Sequence, residues 1–590
     1  MQNSLNITIV LGDMDYPLTE ARKEIINKLK NVLIKLDYNF EPKLEIPSEG
    51  LGDFSFPCFT LASLIKKSPK DVSEEIAKRI KKGKWIKKVK SKSGYVNFFI
   101  DKQILITSTL KSIDDKKEDY GNLKKKNKRV IIEHTSANPN GPLHVGRARN
   151  PIIGDTLVRI FKAAGFDVES QFYLDDMGKQ VAILTWGLGN LNSKDIPKSK
   201  YNKSDHKTVG FYQVANKLMN DDEKISKEIS NIIKNSEKGE QKTIELAHKA
   251  YSPVLKGINE SLQRINIIID RYIPESDFVK NKSVEFVVEK LKKSNYCGNE
   301  DGGLYLDLES FGIHGRNTKF FFTRSDGTTL YATRDIAYHL WKGKHADKLI
   351  NILGEDHKLE SKQVEIALNL LNVKSIPIPI FYAFVSMPGG KMSTRHGRVV
   401  YLDDLIEECV KRAYEEVKIR RDLELSDAKK REISEIIGIG ALRYNIIKVQ
   451  PEKDIVFKWE DALNFEGNAA PFIQYAHARA CGILSKLGKN KVIKYPDFSL
   501  LKHDSEYNLV KKLAEFPIVI DDSSKGFKPH IIATYLFDTA SRFNQFYRDC
   551  HVLSEKNIEL KKARLALVNS TRIVLKNGLN LLGIIAPVEM

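Results

Sequence analysis

A multidomain chain, with an α/β core built on a parallel sheet, an N-terminal α/β domain and a C-terminal all-α helical bundle, is what three observations predict. Residues 129–149, RVIIEHTSANPNGPLHVGRAR, read as a buried strand, a turn rich in Ser, Asn, Pro and Gly, and a helix launched just after Gly146. A helix and a second strand follow at the length of a right-handed crossover unit, which makes the sheet parallel. From residue 460 onward, apolar residues recur at helical spacing with almost no strand pattern, as in a bundle. With 590 residues there is room for several cores.

Taken in order, residues 18–36 predict a helix whose Ile25, Ile26, Leu29, Val32, Leu33 and Leu36 share one face. Residues 69–80 predict another, with Pro69 at its start and acids in its early turns. Residues 94–100 predict a strand. The charged stretch 111–128 has the composition of a linker. In the core, strand 130–133 leads to helix 152–164, closed by Gly165, and then to strand 168–180, which carries Asp175 and Asp176. Lysine-rich helical sequence over about 187–270 reads as an insertion between two halves of the sheet. Strands return from Gly303, with Ser325, Asp326 and Gly327 as a hairpin turn and residues 378–386 as a late strand. The expected units are 1–122, 123–400, a helical stem over 401–459, and 460–590.

Composition narrows the partners. The formal charge of +19 suits a polyanion, although charge speaks to association and not to fold. Five cysteines stand far apart without a CxxC pair, which argues against a disulfide framework or a cysteine metal site and fits a reducing compartment. The first residues show no basic n-region, and no apolar run approaches the ~20 residues needed to span a bilayer, so neither a signal peptide nor a membrane anchor is expected.

The loop after strand 130–133 carries the chemistry. A strand, a small-residue loop and a helix N-terminus offer backbone N–H groups without intrahelical partners and a favourable dipole, which together hold phosphate. His144 and Arg147 stand where loop becomes helix, so both can project donors over one pocket; Gly146 allows close backbone approach and Pro142 stiffens the turn. A plain Gly/Pro connector with a surface His stays open at this point. The second stretch, GGKMSTRHGR over 389–398, sets Lys391, Arg395 and Arg398 among glycines, as suits a loop that closes over polyphosphate.

Together SANPNGPLHVGR and KMSTRHG resemble the paired signature motifs of class I aminoacyl-tRNA synthetases. Their wording and order along nearly the whole chain resemble the arginyl-tRNA synthetases. That resemblance implies a Rossmann-type core, an N-terminal appended domain and a C-terminal anticodon-binding domain that both serve tRNA, and a cytoplasmic monomer. It implies attack of the L-arginine carboxylate on the α-phosphorus of ATP, then transfer of the arginyl group to the terminal adenosine of tRNA(Arg), with Mg²⁺ arriving on ATP and no protein-bound metal. His144, Arg147 and Lys391 carry over as catalytic residues. ATP contacts carry over to His144, Gly146, Arg147, Gly354, His357, Lys391, Met392 and Ser393. The arginine pocket carries over to Glu133, Asn138, Glu275, Tyr331, Asp335 and Gln363, where a planar guanidinium calls for carboxylates that accept paired hydrogen bonds. tRNA contacts carry over to Arg395, Tyr547 and Met590.

Two departures stand out: Arg147 replaces the motif's second His, and Thr394 replaces the second Lys of KMSK. Residue by residue, plain alternatives remain. Asp335 reads equally as a salt-bridge partner, Gln363 as a surface helix residue, Glu275 as part of a turn, and Phe543 and Phe546 as core. Two rival functions remain as well: a tRNA-binding paralogue without catalysis, hinted at by Arg147, and a ligase of the same fold for another amino acid such as cysteine.

Overall fold

Alternating and continuous apolar runs become three short sheets around one long parallel one. The computed structural model describes residues 16–47, 50–315, 318–387, 390–391, 401–421, 424–486 and 496–590. In the N-terminal domain, β1 (Phe54–Pro57), β2 (Ile86–Lys92) and β3 (Tyr95–Ile100) form an antiparallel sheet of order β1-β3-β2, and helices Pro17–Lys35 and Pro69–Arg79 lie where the sequence predicts them. The stretch read as a linker is largely structured. Helix Lys102–Lys116 extends into it, capped by Asp101, and Tyr120 is fully buried with its hydroxyl donating to the Leu513 carbonyl at 3.1 Å. Its charged face misled the composition argument: the residues that dock it, Leu105, Ile106, Leu110 and Ile113, are spaced for a helix.

The core sheet has five parallel strands, β4 (Arg129–Glu133), β5 (Asp167–Leu174), β6 (Arg271–Pro274), β10 (Lys348–Gly354) and β11 (Ile378–Tyr382), in the order β11-β10-β4-β5-β6. Val130 and Ile132 of β4 pack with Ile350 and Ile352 of β10 against Leu157 and Phe161 of helix Arg149–Ala163. That helix crosses from β4 to β5 in a parallel unit that pairs Arg129 with Asp167 and Glu133 with Gln171. Gly165 ends it at φ +88°, where a Cβ would meet the Lys124 carbonyl oxygen at 2.1 Å. The insertion holds helices Ser204–Asp221, Glu223–Glu237 and Gln241–Arg264.

An antiparallel sheet of β7 (Cys297–Glu300), β8 (Gly303–Asp307) and β9 (Lys319–Phe321) covers helix Tyr331–His345. The Ser-Asp-Gly turn is present, with Gly327 at φ +81° and the Arg324 amide donating to Thr328, but its second arm is only the Thr323–Thr329 bridge before the helix begins. The late strand divides into β11 and β12 (Val385–Met387). β12 pairs antiparallel with β13 (Gly390–Lys391) and parallel with β14 (Ile455–Val456). Helices Leu402–Arg421 and Asp427–Ile447 form the stem. Ala470–Ser485, Asp504–Gly526, His530–Asp549 and Ile558–Leu581 form the C-terminal bundle. Among the described residues, no helix is long and apolar enough to cross a membrane.

Candidate active site

β4 and β10 are neighbours whose chains continue to opposite sides of the sheet, so a crevice opens beyond their carboxyl ends. A cavity of about 430 Å³ occupies it. The loop after β4 lines it with Ser136, Asn138 and Arg147; β5 and β6 bring Tyr173, Asp175 and Glu275; helix Tyr331–His345 brings Tyr331, Asp335 and His339; Gly354, Asp356, His357 and Glu360 close it from β10 and beyond.

His144 shapes the first loop from within. Its Nδ1 accepts the Gly146 N–H at 3.0 Å and caps the turn Val145–Arg147, so the ring carries its proton on Nε2 and offers one donor, not two. A Cβ on Gly146 would lie 3.1 Å from that Nδ1, which explains the glycine. Burial, then the neighbouring Arg147, holds the His144 pKa below its usual range. His144 and Gly146 flank the cavity without lining it; Arg147 is exposed and lines it. His144 also pairs through its backbone with Tyr401, and the Leu402 N–H donates to the Leu143 carbonyl at 2.8 Å. The first signature stretch is therefore joined by its backbone to the start of helix Leu402–Arg421, just past the second. Lys391 is described only through its backbone, opposite Ser386; Met392, Ser393 and Arg395 lie outside the described residues.

The acidic side is built in layers. Asp335 keeps a quarter of its side chain exposed, and its Oδ1 lies 3.2 Å from Nδ1 of His339. Lys342 donates to Asn351 Oδ1 at 3.0 Å, which turns the Asn351 amide nitrogen toward His339 Nε2 at 2.7 Å. His339 thus accepts with Nε2 and holds its proton on Nδ1, facing the Asp335 carbonyl at 2.8 Å. Burial works against ionisation of Asp335, but His339 and Lys342 overcome it and hold the carboxyl below its usual value. Tyr331, one turn before Asp335, is 57% exposed, and burial and nearby Glu360 push its hydroxyl up.

Glu275 is 2% exposed. Its Oε1 accepts from the Tyr173 hydroxyl at 3.2 Å and lies 2.9 Å from Arg334 Nε, an ion pair by distance in which the N–H is not aimed along the line. Its Oε2 is buried without a partner. Burial pushes the Glu275 carboxyl up to about 8 against the pull of Arg334.

Three sequence expectations need correction or completion. Glu133 borders the cavity, but its carboxylate is committed: Oε2 takes the fully buried Lys342 ammonium at 2.6 Å and Oε1 the Ser136 hydroxyl at 3.1 Å. Gln363 does not line the cavity, because Glu360, Ser361, Val364 and Glu365 form the facing stripe of helix Lys358–Leu370 and Gln363 is turned aside. Asn138 does line it, with its amide donating to Gln180 at 3.0 Å, a partner the sequence did not signal.

Arg149 was also missed. Fully buried, it donates to the carbonyls of Ala383, Lys453 and Gln450, each at 2.7 Å, and fixes the approach to the second signature stretch. An arginine two residues past the motif was its only signal. His357 is about half exposed, and its Nδ1 sits 2.9 Å from Glu360, which raises its pKa.

In the bundle, Phe543 and Phe546 are core, whereas Tyr547 is 42% exposed with the Arg479 guanidinium 5.3 Å from its ring and 4.7 Å from that of Tyr475. Met590 is held elsewhere, packed beside Val417 and Ile437 with its carbonyl accepting from Arg421 at 2.7 Å. The buried acids Asp205 and Asp403 with His206 make a metal-like grouping, but the Lys203 ammonium stands among them, 2.7 Å from Asp403 and 3.2 Å from Asp205.

The chain that forms this crevice is matched by known proteins. Residues 109–459 match the family model described as tRNA synthetases class I (R), catalytic domain. Residues 473–590 match the DALR anticodon binding domain and residues 20–100 the arginyl tRNA synthetase N terminal domain. The chain is a class I tRNA synthetase by family. The arginine–tRNA ligase of Methanocella arvoryzae is 45% identical over 95% of this chain and 98% of its own. That of Methanothermobacter thermautotrophicus is 42% identical over 96% and 99%. The solved Thermus thermophilus arginyl-tRNA synthetase superposes with a TM-score of 0.83 at 26% identity, covering 96% of this chain and all of that one. Within its class, the chain belongs to the arginine–tRNA ligases.

Proposed function

We propose that the crevice between β4 and β10 is where L-arginine meets ATP, the amino acid against the Asp335–Glu275 wall and the nucleotide against Arg147, Gly354 and His357. The enzyme is an arginine–tRNA ligase by family: it activates L-arginine with ATP to arginyl-adenylate and transfers the arginyl group to tRNA(Arg). ATP enters as its Mg²⁺ complex, with the metal bound through the phosphates. We infer further that the enzyme works as a cytoplasmic monomer, with functional units 1–122, 123–400, 401–459 and 460–590.

The observation that carries this is the juxtaposition of two unlike walls in one cavity. On one side Arg147 and His357 supply positive donors for a polyphosphate, and Lys391, whose backbone pairs with Ser386, is the third cation of the proposal. On the other, Asp335 and the unpartnered Oε2 of Glu275 offer acceptors for a planar cation, with Tyr331 at the mouth. The arginine carboxylate then lies between them, in line with the α-phosphorus. No covalent enzyme intermediate is required, so position and electrostatic stabilisation supply the rate. His144 contributes its Nε2–H, and Asn138 the amino-acid end of the site.

Exposed Tyr547, beside Arg479, serves as a stacking surface for an unpaired tRNA base, with Arg395 and Met590 as further tRNA contacts. The test is arginine-dependent pyrophosphate exchange, with and without tRNA, run beside lysine and cysteine. Arginine alone should support exchange. Asp335→Asn should raise the KM for arginine by roughly 10²-fold or more while the KM for ATP holds, and Lys391→Ala should lower the rate at unchanged arginine KM. Exchange with cysteine, or equal damage to both substrates in Asp335→Asn, would overturn the assignment.

A further inference from the structure

The helical insertion has no role in the chemistry so far, yet one of its residues is linked through Arg334 to the arginine side of the crevice. Glu237 closes helix Glu223–Glu237 with its carboxylate 5% exposed. It accepts from Arg324 Nη1 at 3.0 Å on the surface side and lies 3.5 Å from Arg334 Nη1 on the inner side. Arg334, itself 4% exposed, stands 2.9 Å from Glu275 on its other flank and donates to the Thr329 carbonyl at 3.3 Å. Four alternating charges therefore run from the surface to the cavity wall: Arg324, Glu237, Arg334, Glu275.

We propose that Glu237 of the insertion is a specificity-positioning residue for arginine, acting through Arg334 to keep the Glu275 carboxylate available to the substrate's guanidinium. The inference rests on the assignment of the crevice as the arginine pocket. Its logic is electrostatic. Arg334 is a fixed cation directly behind Glu275, in the wall of a pocket meant for another cation. Paired with Glu275 alone, it neutralises a cavity-lining acid whose Oε2 is buried without a partner, and it repels the substrate besides. Glu237 draws the Arg334 charge outward and anchors the guanidinium, so that once Glu275 is ionised, as a bound guanidinium requires, the buried group of Glu275, Arg334 and Glu237 carries one net negative charge. One substrate guanidinium matches that charge. At this depth such charge-assisted contacts are weakly screened by water.

Glu237→Gln keeps the shape and removes the charge. In tRNA-supplemented pyrophosphate exchange with the full chain, the KM for arginine should rise roughly tenfold, kcat and the KM for ATP should change by less than about twofold, and discrimination against citrulline, the neutral isostere, should fall. Glu237→Asp should restore a substantial part of the arginine KM. An arginine KM unchanged in Glu237→Gln overturns the proposal, as does an ATP KM that rises in step, which would mark a folding role. Glu275→Gln separates the two levels: if it leaves the arginine KM intact the pocket assignment itself fails, and if it damages the KM while Glu237→Gln does not, only the role of the insertion fails.

Discussion

Glu275 shows how a single burial decides chemistry at the residue scale. Tyr173 and Arg334 face it directly, and Asp175 and Asp176 add negative charge nearby; with burial as the largest influence, its carboxyl titrates near 8, far above a solvated glutamate. Below that pH the empty pocket holds mainly the protonated form, whereas a guanidinium calls for the carboxylate. Arginine binding then releases a proton, and affinity improves as pH rises toward 8 and levels off above it. The arginine KM should fall by roughly tenfold from pH 6 to 7 and about fivefold from pH 7 to 8. Asp335 is not the source of such a slope, because His339 and Lys342 hold it ionised well below this window. Isothermal titration in buffers of different ionisation enthalpy would count the proton directly. A flat arginine KM across that range, or no proton released, would refute the coupling.

At the scale of elements, the loop from β4 depends on Arg149. Three carbonyls, from Ala383, Gln450 and Lys453, converge on its guanidinium, and the Ala383 N–H in turn donates to the Pro451 carbonyl at 2.9 Å. Helix Arg149–Ala163 is thereby locked to the chain between β11 and β12 and to the turn before β14. Arg149→Met fills the volume but leaves buried carbonyls without donors, at a cost of roughly 3 to 5 kcal/mol. A lower denaturant midpoint for the catalytic domain's transition is the expected reading, and an unchanged midpoint would show the clamp to be idle. None of this long-range pairing was legible in the sequence. Strand periodicity, the Pro-Gly turn and the capping glycine were legible because they depend on neighbours in the chain. Helix Asp427–Ile447 was seen only as part of a helical stem; its Gly438 and Gly440 are points of close approach, where a Cβ would stand 2.8 Å from Val410 and from Gln474. The acids were legible as types and not as partners. Glu133 offered no hint that Lys342, 209 residues away, had claimed it.

Across the whole molecule, the first and last domains meet. Asp53, beside β1, accepts the Ile100 N–H at 2.8 Å and reaches into the C-terminal bundle, where Lys511 pairs with it at 2.7 Å and the Tyr507 hydroxyl donates to it at 3.2 Å. Tyr120 adds its bond to Leu513 and stacks on Phe516, against which Tyr535 also stacks. Lysines 82, 87, 88, 90, 102, 511 and 512 and Arg542 line the groove between the two domains, facing Asp53, Asp504, Glu515 and Asp538. An excess of cations there suits the backbone of an RNA, while the acids hold the walls in register. Asp53→Ala should leave the catalytic site intact and loosen only this joint, since it strips a buried N–H and a half-buried ammonium of their acceptor. Proteolysis that samples the opened state tracks its population, so cleavage within residues 101–128 should accelerate by roughly tenfold and the KM for tRNA should rise. At saturating tRNA the arginine KM should stay where it was. If cleavage and tRNA KM both match the parent protein, the joint is held by Tyr120 and its aromatic neighbours, and Asp53 serves only to finish the edge of its own sheet.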